Sequence, residues 1–554
     1  MSKVCSVEEA VAIVRPGDTV ATVGVIGWIV PDALLAGLAK RFQKSGSPKD
    51  CTFYFPCGTG DAIDIKGMDH VAIEGLMKRI VSGSYVNPVD PKTGERPKLM
   101  QLIRQNRIEA YSWPIGASMH WLREVARRSP GYLTKIGLGT YADPRKEGGK
   151  FTTLAKEDLV KVVEFEGQEY LFYPTFPLNI GFIRGASADE FGNISHEDEP
   201  IHSSSLQIAL AVKACGGKVV AQVRRIVPRG ERQAPQVKIP GVLVDHVVVV
   251  PDQMMTTDTP YDTSYLGGVR WNGRTDDRLP FGPDKIIARR GARQIKPGVT
   301  SIFGFGASSD IPTILLEDGK FEDGGYRDFQ FTTEHGPFGG LVMSGWQFSA
   351  NKYPEALLDG VTQFDFIDGG GCPFAALAFA EFDAEGNVNV SRFGIANPGA
   401  GGFTDIAHNA RELVFTGTFT TGGLQIAFED GKLRVVGGLA MAQHGWGKVQ
   451  NAMHWMDKAF SLALASASIS SGVKVGGAAS WVRSASFSFC ACSNCAISAV
   501  SCLARSFRRA ISACSVAAKS AGSVAGFSSC GAATAGVAAV VVTRDEARSV
   551  SRSF

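Results

Sequence analysis

Short apolar runs and amphipathic stretches alternate along the first 436 residues. Thr19–Val23 is a β-branched run that predicts a strand, and Val23-Gly24-Val25-Ile26-Gly27 is a glycine-rich turn behind it. Pro31 suits the first turn of a helix, and Leu34, Leu35, Leu38 and Phe42 follow at helical spacing. Ser204–Ala214 predicts a second helix stopped by Gly216-Gly217, with Lys218–Val223 as the next strand. Val242–Val250 is almost continuously apolar, the pattern of a strand buried on both faces. Beyond it, Thr256–Gly282 is rich in Asp, Thr, Gly and Arg and predicts a linker. Lys285–Arg290 then opens a second alternating region, in which Ser301–Phe305 leads into another glycine turn. Strand–helix alternation of this kind predicts an α/β fold with largely parallel sheets. The two strand–glycine-turn openings, at Gly24-x-x-Gly27 and Gly304-x-Gly306, predict two related halves, 1–275 and 285–436.

The pattern ends near Gly437. Residues 1–437 contain 21 Ser, and the 117 residues after them contain 22. That stretch holds six of the 11 Cys, only Asp457, Asp545 and Glu546 as acids, and none of the 26 Pro. Neither helical nor strand periodicity survives in it. A Cys490-x-Cys492-x-x-Cys495 metal cluster, a basic low-complexity tail and a shifted reading frame are the three readings of residues 437–554. The loss of acids favours the third, because out-of-frame GC-rich codons yield Ala, Gly, Ser, Arg and Cys. Net charge is +3 over 554 residues, which gives no footing for nucleic acid. Apolar runs such as Val247–Val250 fall far short of the roughly 20 residues that span a bilayer. The opening residues lack the apolar core of a secretory signal, so the expected location is cytoplasmic.

Several chemistries are excluded by motif. Neither glycine turn spells G-x-G-x-x-G, and G-x-x-x-x-G-K-S/T, G-x-S-x-G and H-E-x-x-H are all missing. His70, His120, His196, His202, His335 and His408 are scattered, and no metal site is expected. What stands out is Thr332-Thr333-Glu334-His335-Gly336-Pro337, an acid inside a glycine–proline loop behind the strand-like Phe329–Phe331. A second loop, Asn397-Pro398-Gly399-Ala400-Gly401-Gly402-Phe403, follows the strand-like Asn387–Phe393 and can aim backbone N–H groups at an oxyanion. On their own, both loops read equally well as a solvated acid and a tight turn.

Set in order, the motifs resemble the class I coenzyme A transferases, and among them the single-chain acetate/propionate enzymes with two fused halves. The matching residues are Gly24-x-x-Gly27-x-x-x-Pro31, Gly139-Thr140-x-x-Asp143-Pro144-Arg145-x-x-Gly148-Gly149, Ala188-Asp189-x-x-Gly192-Asn193 and Pro240-Gly241-x-x-Val244-Asp245. The later half adds Gln363-Phe364-Asp365-x-x-Asp368-Gly369-Gly370-Gly371, the Gly386–Gly394 stretch and Gly401-Gly402-Phe403-x-Asp405-Ile406. Cys372 departs from the pattern, standing where an apolar residue is expected, and the resemblance stops at about Val436. It implies that Glu334 is the nucleophile, that Gly401 and Gly402 supply oxyanion donors, and that Gly304, Gly306 and Ser308 lie on the CoA side. It further implies acyl-CoA and short carboxylates as substrates, CoA exchange by a ping-pong route, no separate cofactor, and a homo-oligomer (dimer or tetramer). Two other functions fit the same residues: an acyl-CoA hydrolase on this fold, and an α/β binding protein impaired by its altered end.

Overall fold

The computed structural model describes residues 3–85, 90, 93–269, 271–275, 278–382, 387–392, 398–417, 425–429 and 432–437. Strand β1 (Thr19–Thr22) buries Val20, Ala21 and Thr22, as its β-branched run requires. The glycine turn returns the chain into α1 (Asp32–Ser45), whose Leu34, Leu35 and Leu38 are buried along one face. Pro31 is the residue just before that helix rather than part of its first turn, and Gly46, at φ 67°, ends it in the left-handed region. Strands β2 (Cys51–Phe55), β3 (Met77–Ser82) and β4 (Glu109–Ser112) extend the sheet on one side of β1. The helix α2 (Ile115–Ala126) follows, and strands β5 (Ile180–Arg184), β6 (Lys218–Val223) and β7 (His246–Val249) extend the sheet on the other side. Between β5 and β6 runs α3 (Ser205–Ala214), as its apolar spacing predicts. The order is β7-β6-β5-β1-β2-β3-β4, and every pairing is parallel.

A second sheet repeats the plan. After α4 (Pro283–Ala292) come β8 (Thr300–Phe303), β9 (Gln330–Thr332), β10 (Pro337–Phe338) and β11 (Ala356–Leu357). Helix α5 (Gly360–Asp368), strand β12 (Phe374–Ala378), helix α6 (Phe403–Asn409) and strand β13 (Glu412–Thr416) complete it. The order is β11-β10-β9-β8-β12-β13, parallel except where β10 pairs with β9 and β11. In each sheet the first strand in sequence has later strands on both sides, so strand order reverses beside β1 and again beside β8. Loops leaving the carboxyl ends of strands at such a reversal diverge and open a crevice. Both glycine turns of the sequence stand at these two places.

One apolar core joins the sheets, with Tyr54, Trp113 and Trp121 in the same cluster as Ile302, Phe364 and Ile406. Two expectations need correction. Val242–Val250 is not one buried strand: Gly241–Leu243 forms a short 3-10 turn with Val242 70% exposed, and only His246–Val249 pairs, at the sheet's edge. Pro240 and Gly241 favour the turn over extension. Nor is Thr256–Gly282 a free spacer. Thr256, Thr257 and Tyr265 are buried, and the Tyr265 ring meets Trp28 edge-on at 5.0 Å. Cys372, the departure from the family pattern, fills its buried place as a small apolar group.

Residues to Phe382 and Asn387–Thr416 share one compact unit. A hairpin of Gln425–Glu429 with Lys432–Gly437, Ile426 opposite Val435, belongs to a second. Residues 438–554, with the Cys490, Cys492 and Cys495 cluster and the Val540–Val542 patch, lie outside the described residues. So do Gly386, Phe393, Gly394 and Asn397 of the two later motifs. Among the described residues no helix is long and apolar enough to cross a membrane.

A buried ion pair ties the first sheet's loops together. Arg184, at the end of β5, meets Glu199 at 2.8 Å with both side chains almost fully buried. The remaining guanidinium nitrogens donate to Val30 O at 3.3 Å and Met254 O at 2.7 Å, spanning the segments on either side of the first glycine turn. Removing one partner of such a pair strands the other's charge. Glu199→Ala should therefore lower unfolding free energy by about 3–5 kcal/mol in chemical denaturation. A loss below about 1 kcal/mol would show that Arg184 finds solvent instead.

Candidate active site

Backbone and side-chain hydrogen bonds hold the loop after β9 from three directions. Thr332 Oγ1 donates to Pro337 O at 2.6 Å, and Thr333 Oγ1 donates to Ser349 O at 2.8 Å. Gln363 Nε2, on α5, donates to Thr333 O at 2.8 Å and to Thr332 Oγ1 at 3.1 Å. Gly336, at φ 101°, passes so close to Leu358 O that a Cβ there would lie 2.2 Å from it. Between these fixed points Glu334 extends inward with its side chain 14% exposed.

Its Oε2 accepts the N–H of Gly402 at 2.9 Å. Burial pushes the Glu334 carboxyl up to about 7, and the Gly402 bond pulls weakly the other way. His335 Nδ1 lies 3.9 Å from Glu334 Oε1, close enough for an ion pair. Yet burial drives the imidazole down to about 3, so the ring is neutral wherever Glu334 is charged. A Cβ on Gly402 would sit 2.0 Å from Glu334 Oε2 and would push that carboxylate off the amide.

The loop carrying Gly402 is gripped by the first sheet. Gly401 N–H donates to Gly83 O at 3.1 Å, and Ile115 N–H donates to Gly401 O at 3.0 Å. Of the two predicted oxyanion donors, Gly402 faces Glu334, while the Gly401 amide is engaged in holding the loop. Cys57 is also near enough for Glu334's charge to act on it, and burial, reinforced by that charge, keeps the thiol protonated. The first glycine turn packs tightly beside this region. A Cβ on Gly24 would meet Thr59 at 2.4 Å, and one on Gly27 would meet Thr257 Oγ1 at 2.5 Å. Ile26 and Ile29, both β-branched, sit at φ 51° and 52°, a strained choice held by Ile26 N–H on Gly58 O at 2.7 Å.

Gly304, Gly306 and Ser308 form the turn after β8, the strand beside β9. Ser308 Oγ donates to Gly304 O at 2.7 Å, and Gly306 takes φ 102°. Half-exposed Phe305 packs edge-on to Phe348 at 5.5 Å, next to the Ser349 that anchors Thr333. This turn thus joins Glu334's loop through Phe348 and Ser349. A separate cavity of about 360 Å³, lined by residues including His196, His202 and Lys238, does not include Glu334.

Sequence reasoning missed a second set of acids. Asp405, on α6, is fully buried and accepts Gly116 N–H at 3.3 Å; burial and then Asp368 push its carboxyl well up. Asp368 is raised to about 7 by burial and by Asp365, while its Oδ1 accepts from Asn409 Nδ2 at 3.1 Å. His120 Nε2 lies 3.0 Å from Asp365 Oδ1, but burial lowers the ring's affinity for a second proton. The Asp365-x-x-Asp368 and Gly402-x-x-Asp405 spacings were visible in the chain; their burial was not. Among the described residues no group of three or more His, Cys, Asp or Glu is arranged to hold a metal ion.

Fold and site together, two mainly parallel sheets with a desolvated glutamate at a strand's carboxyl end met by one glycine amide, define a protein of the CoA-transferase-like α/β class. Residues 4–250 match the model described as coenzyme A transferase, and the chain belongs to the class I coenzyme A transferase family. It is 37% identical over 435 residues to the acetate CoA-transferase YdiF of Escherichia coli (strain K12), covering 78% of this chain and 79% of that one. It is 35% identical over 443 residues to the caffeate CoA-transferase of Acetobacterium woodii, covering 78% and 81%. The crystal structure of the acyl-CoA transferase (YdiF) apoenzyme from Escherichia coli O157:H7 superposes with a TM-score of 0.69 at 36% identity, over 79% of this chain and 81% of that one. That protein is also known as a thioester complex with CoA, which superposes equally well. The protein described here is a CoA-transferase, a homologue of acetate CoA-transferase.

The raised Glu334 has a consequence for stability. Because its folded value lies above the ordinary 4.5, its contribution to stability is complete below that value and is lost as pH rises through about 7. Glu334→Gln removes the charge that burial penalises. The variant should gain on the parent by roughly 3 kcal/mol between pH 4 and pH 8, measured by denaturant unfolding at both. A difference independent of pH would mean that Glu334 ionises freely.

Proposed function

We propose that this enzyme moves CoA between short-chain acyl-CoA thioesters and free carboxylates such as acetate, through a glutamyl-CoA thioester on Glu334. The observation that carries this reading is the buried Glu334 carboxylate meeting the Gly402 amide at 2.9 Å. Similarity to an acetate CoA-transferase, and to a relative known as a thioester complex with CoA, supports it.

A carboxylate is a weak nucleophile toward a thioester in water, where it is stabilised by solvation. Burial that raises Glu334 to about 7 strips part of that stabilisation while leaving about half the molecules ionised at pH 7. A Glu334 oxygen attacks the acyl-CoA carbonyl, the C–S bond breaks, and a mixed anhydride and CoA thiolate form. The thiolate then attacks the glutamyl carbonyl, the anhydride C–O bond breaks, and the first acid leaves as its carboxylate. What remains is glutamyl-CoA, and an incoming carboxylate runs both steps backwards. One thioester replaces another of similar energy, so the exchange requires no nucleotide hydrolysis and no redox carrier.

Gly402 serves both states of Glu334. Its N–H meets the carboxylate at rest and stays with the same oxygen when thiolate attack turns that oxygen into an oxyanion. Removing such a donor costs about 10²–10³ in rate. Gly401 supports it by holding the loop on Gly83 O, and the Gly304–Ser308 turn lies on the CoA side in this reading. Residues 1–275 and 285–436 are then the two halves of a cytoplasmic homo-oligomer. Residues 437–554 are the product of a shifted frame, tested by reading the coding DNA around Val436 in all three frames.

Incubation with acetyl-CoA should add CoA to Glu334, seen as a mass increment on its peptide and trapped by borohydride. Glu334→Ala should abolish both adduct and exchange; exchange at the parent rate would refute the mechanism. The free enzyme must ionise Glu334 to react, so kcat/KM should rise with pH through an inflection near 7 and level off above it. Double-reciprocal plots against acyl-CoA at several acetate concentrations should be parallel. Intersecting lines would indicate a ternary complex, and acyl-CoA loss of equal speed without acceptor would indicate a hydrolase.

A further inference from the structure

The amide that meets Glu334 belongs to a short segment with little to stiffen it. Gly401 and Gly402 lead directly into α6, a helix of seven residues, and Gly401 sits at φ 61°. Two consecutive glycines leave the backbone free to adopt other conformations, so the 2.9 Å bond to Glu334 depends on what pins the helix behind it. Asp405 lies one turn beyond Gly402, and Ile406 N–H closes that turn on Gly402 O at 2.9 Å. The Asp405 carboxyl leaves α6 and reaches α2, where Oδ2 accepts the N–H of Gly116 at 3.3 Å. The neighbouring amide of α2, Ile115 N–H, holds Gly401 O at 3.0 Å. The first turn of α2 therefore grips both ends of the Gly401–Asp405 turn. Gly116 is shaped for the contact: a Cβ there would lie 2.2 Å from Asp405 Oδ1.

We propose that Asp405 is a positioning residue that aims the Gly402 amide at Glu334 by pinning the first turn of α6 to the first turn of α2. The inference rests on the reading of Glu334 as nucleophile. A carboxyl in this place fits the task better as a neutral acid than as a charge. It is completely buried, the Gly116 donor is long at 3.3 Å, and the other backbone donor to it is its own N–H. The titratable groups around it are the acids Asp368 and Glu334 and the hydroxyls of Tyr132, Tyr141 and Tyr173, which burial keeps protonated. Asp368 in turn faces Asp365 and the neutral His120, and Glu334 faces neutral His335 and protonated Cys57. The cation that reaches this group, Arg123, is taken up by Asp365 at 2.6 Å rather than by Asp405. Shape and the Gly116 contact are thus what Asp405 contributes, and an asparagine reproduces both.

The test is single-turnover formation of the glutamyl-CoA adduct from acetyl-CoA, together with the pH profile of kcat/KM. Asp405→Asn should form adduct within about 3-fold of the parent, with the inflection unmoved. Asp405→Ala should slow adduct formation by about 10–100-fold with KM for acyl-CoA little changed, because the donor is misplaced rather than removed. Its inflection should move up, since the Gly402 bond is what pulls Glu334 down. Gly116→Ala should act likewise from the α2 side, and should add less on top of Asp405→Ala than alone, because the missing carboxyl removes the nearest clash and leaves only the Phe364 ring at 2.8 Å to shift. It also keeps the inference testable should the alanine variant not fold. Parental adduct rates in both Asp405→Ala and Gly116→Ala would overturn the inference. So would an inflection that falls in both Asp405 variants, which would mark Asp405 as a charge rather than a positioner. A parent enzyme that forms no adduct at Glu334 would instead overturn the reading on which the inference rests.

Discussion

Everything near the reacting centre follows from one requirement: a carboxylate must be kept out of water without being forced to keep its proton. Raising Glu334 from 4.5 to about 7 corresponds to roughly 3 kcal/mol against the charged form. Less burial would leave a well-solvated, unreactive carboxylate. More burial favours the neutral acid further, as at Asp405, whose carboxyl burial and then Asp368 push well up. A single backbone donor at 2.9 Å holds the balance between these limits. It does so without a formal charge.

That requirement explains why the site draws on both sheets. Glu334 comes from a loop after β9, and the loop bearing the amide it meets is held by Gly83 O and the first turn of α2, which belong to the first sheet's half of the chain. Aligning the two parts to a few tenths of an ångström needs a continuous core, and the cluster running from Tyr54 and Trp113 to Phe364 and Ile406 supplies one. Further in sequence from the chemistry, Arg184 joins Glu199, Val30 O and Met254 O, and Trp28 Nε1 donates to Phe348 O at 3.0 Å. The strain at Ile26 and Ile29 is affordable only because these contacts over-determine the loop.

The histidines of the site show how distance alone misleads. His335 beside Glu334 and His120 between Asp365 and Asp368 both lie where ion pairs would be drawn. Burial decides against the pair at His335 and works in the same direction at His120, because a desolvated imidazole holds its second proton less tightly. Neutral rings suit this chemistry. A charged His335 would pull Glu334 back toward its ordinary acidity and weaken it as a nucleophile.

The sequence by itself determined the local elements, and with them where the two loops stand. The β-branched run at Thr19–Thr22, the helical spacing of Leu34, Leu35 and Leu38, and glycine after each leading strand are local signals, set by backbone sterics and by which face must be buried. The E-x-G loop and the double glycine were equally plain, the first at the end of β9 and the second directly before α6. Where local signals competed with context they failed: the nine residues from Val242, seven of them apolar, became a turn and an edge strand, and polar Thr256 and Thr257 were buried. Only the tertiary structure decided that Gly402, rather than Gly401, faces Glu334, that Gln363 braces its loop, and that Asp405 reaches Gly116. Each of these joins positions separated by tens to hundreds of residues. The burial that raises one acid to about 7 and keeps another protonated is a property of everything packed around it, which no stretch of chain carries alone.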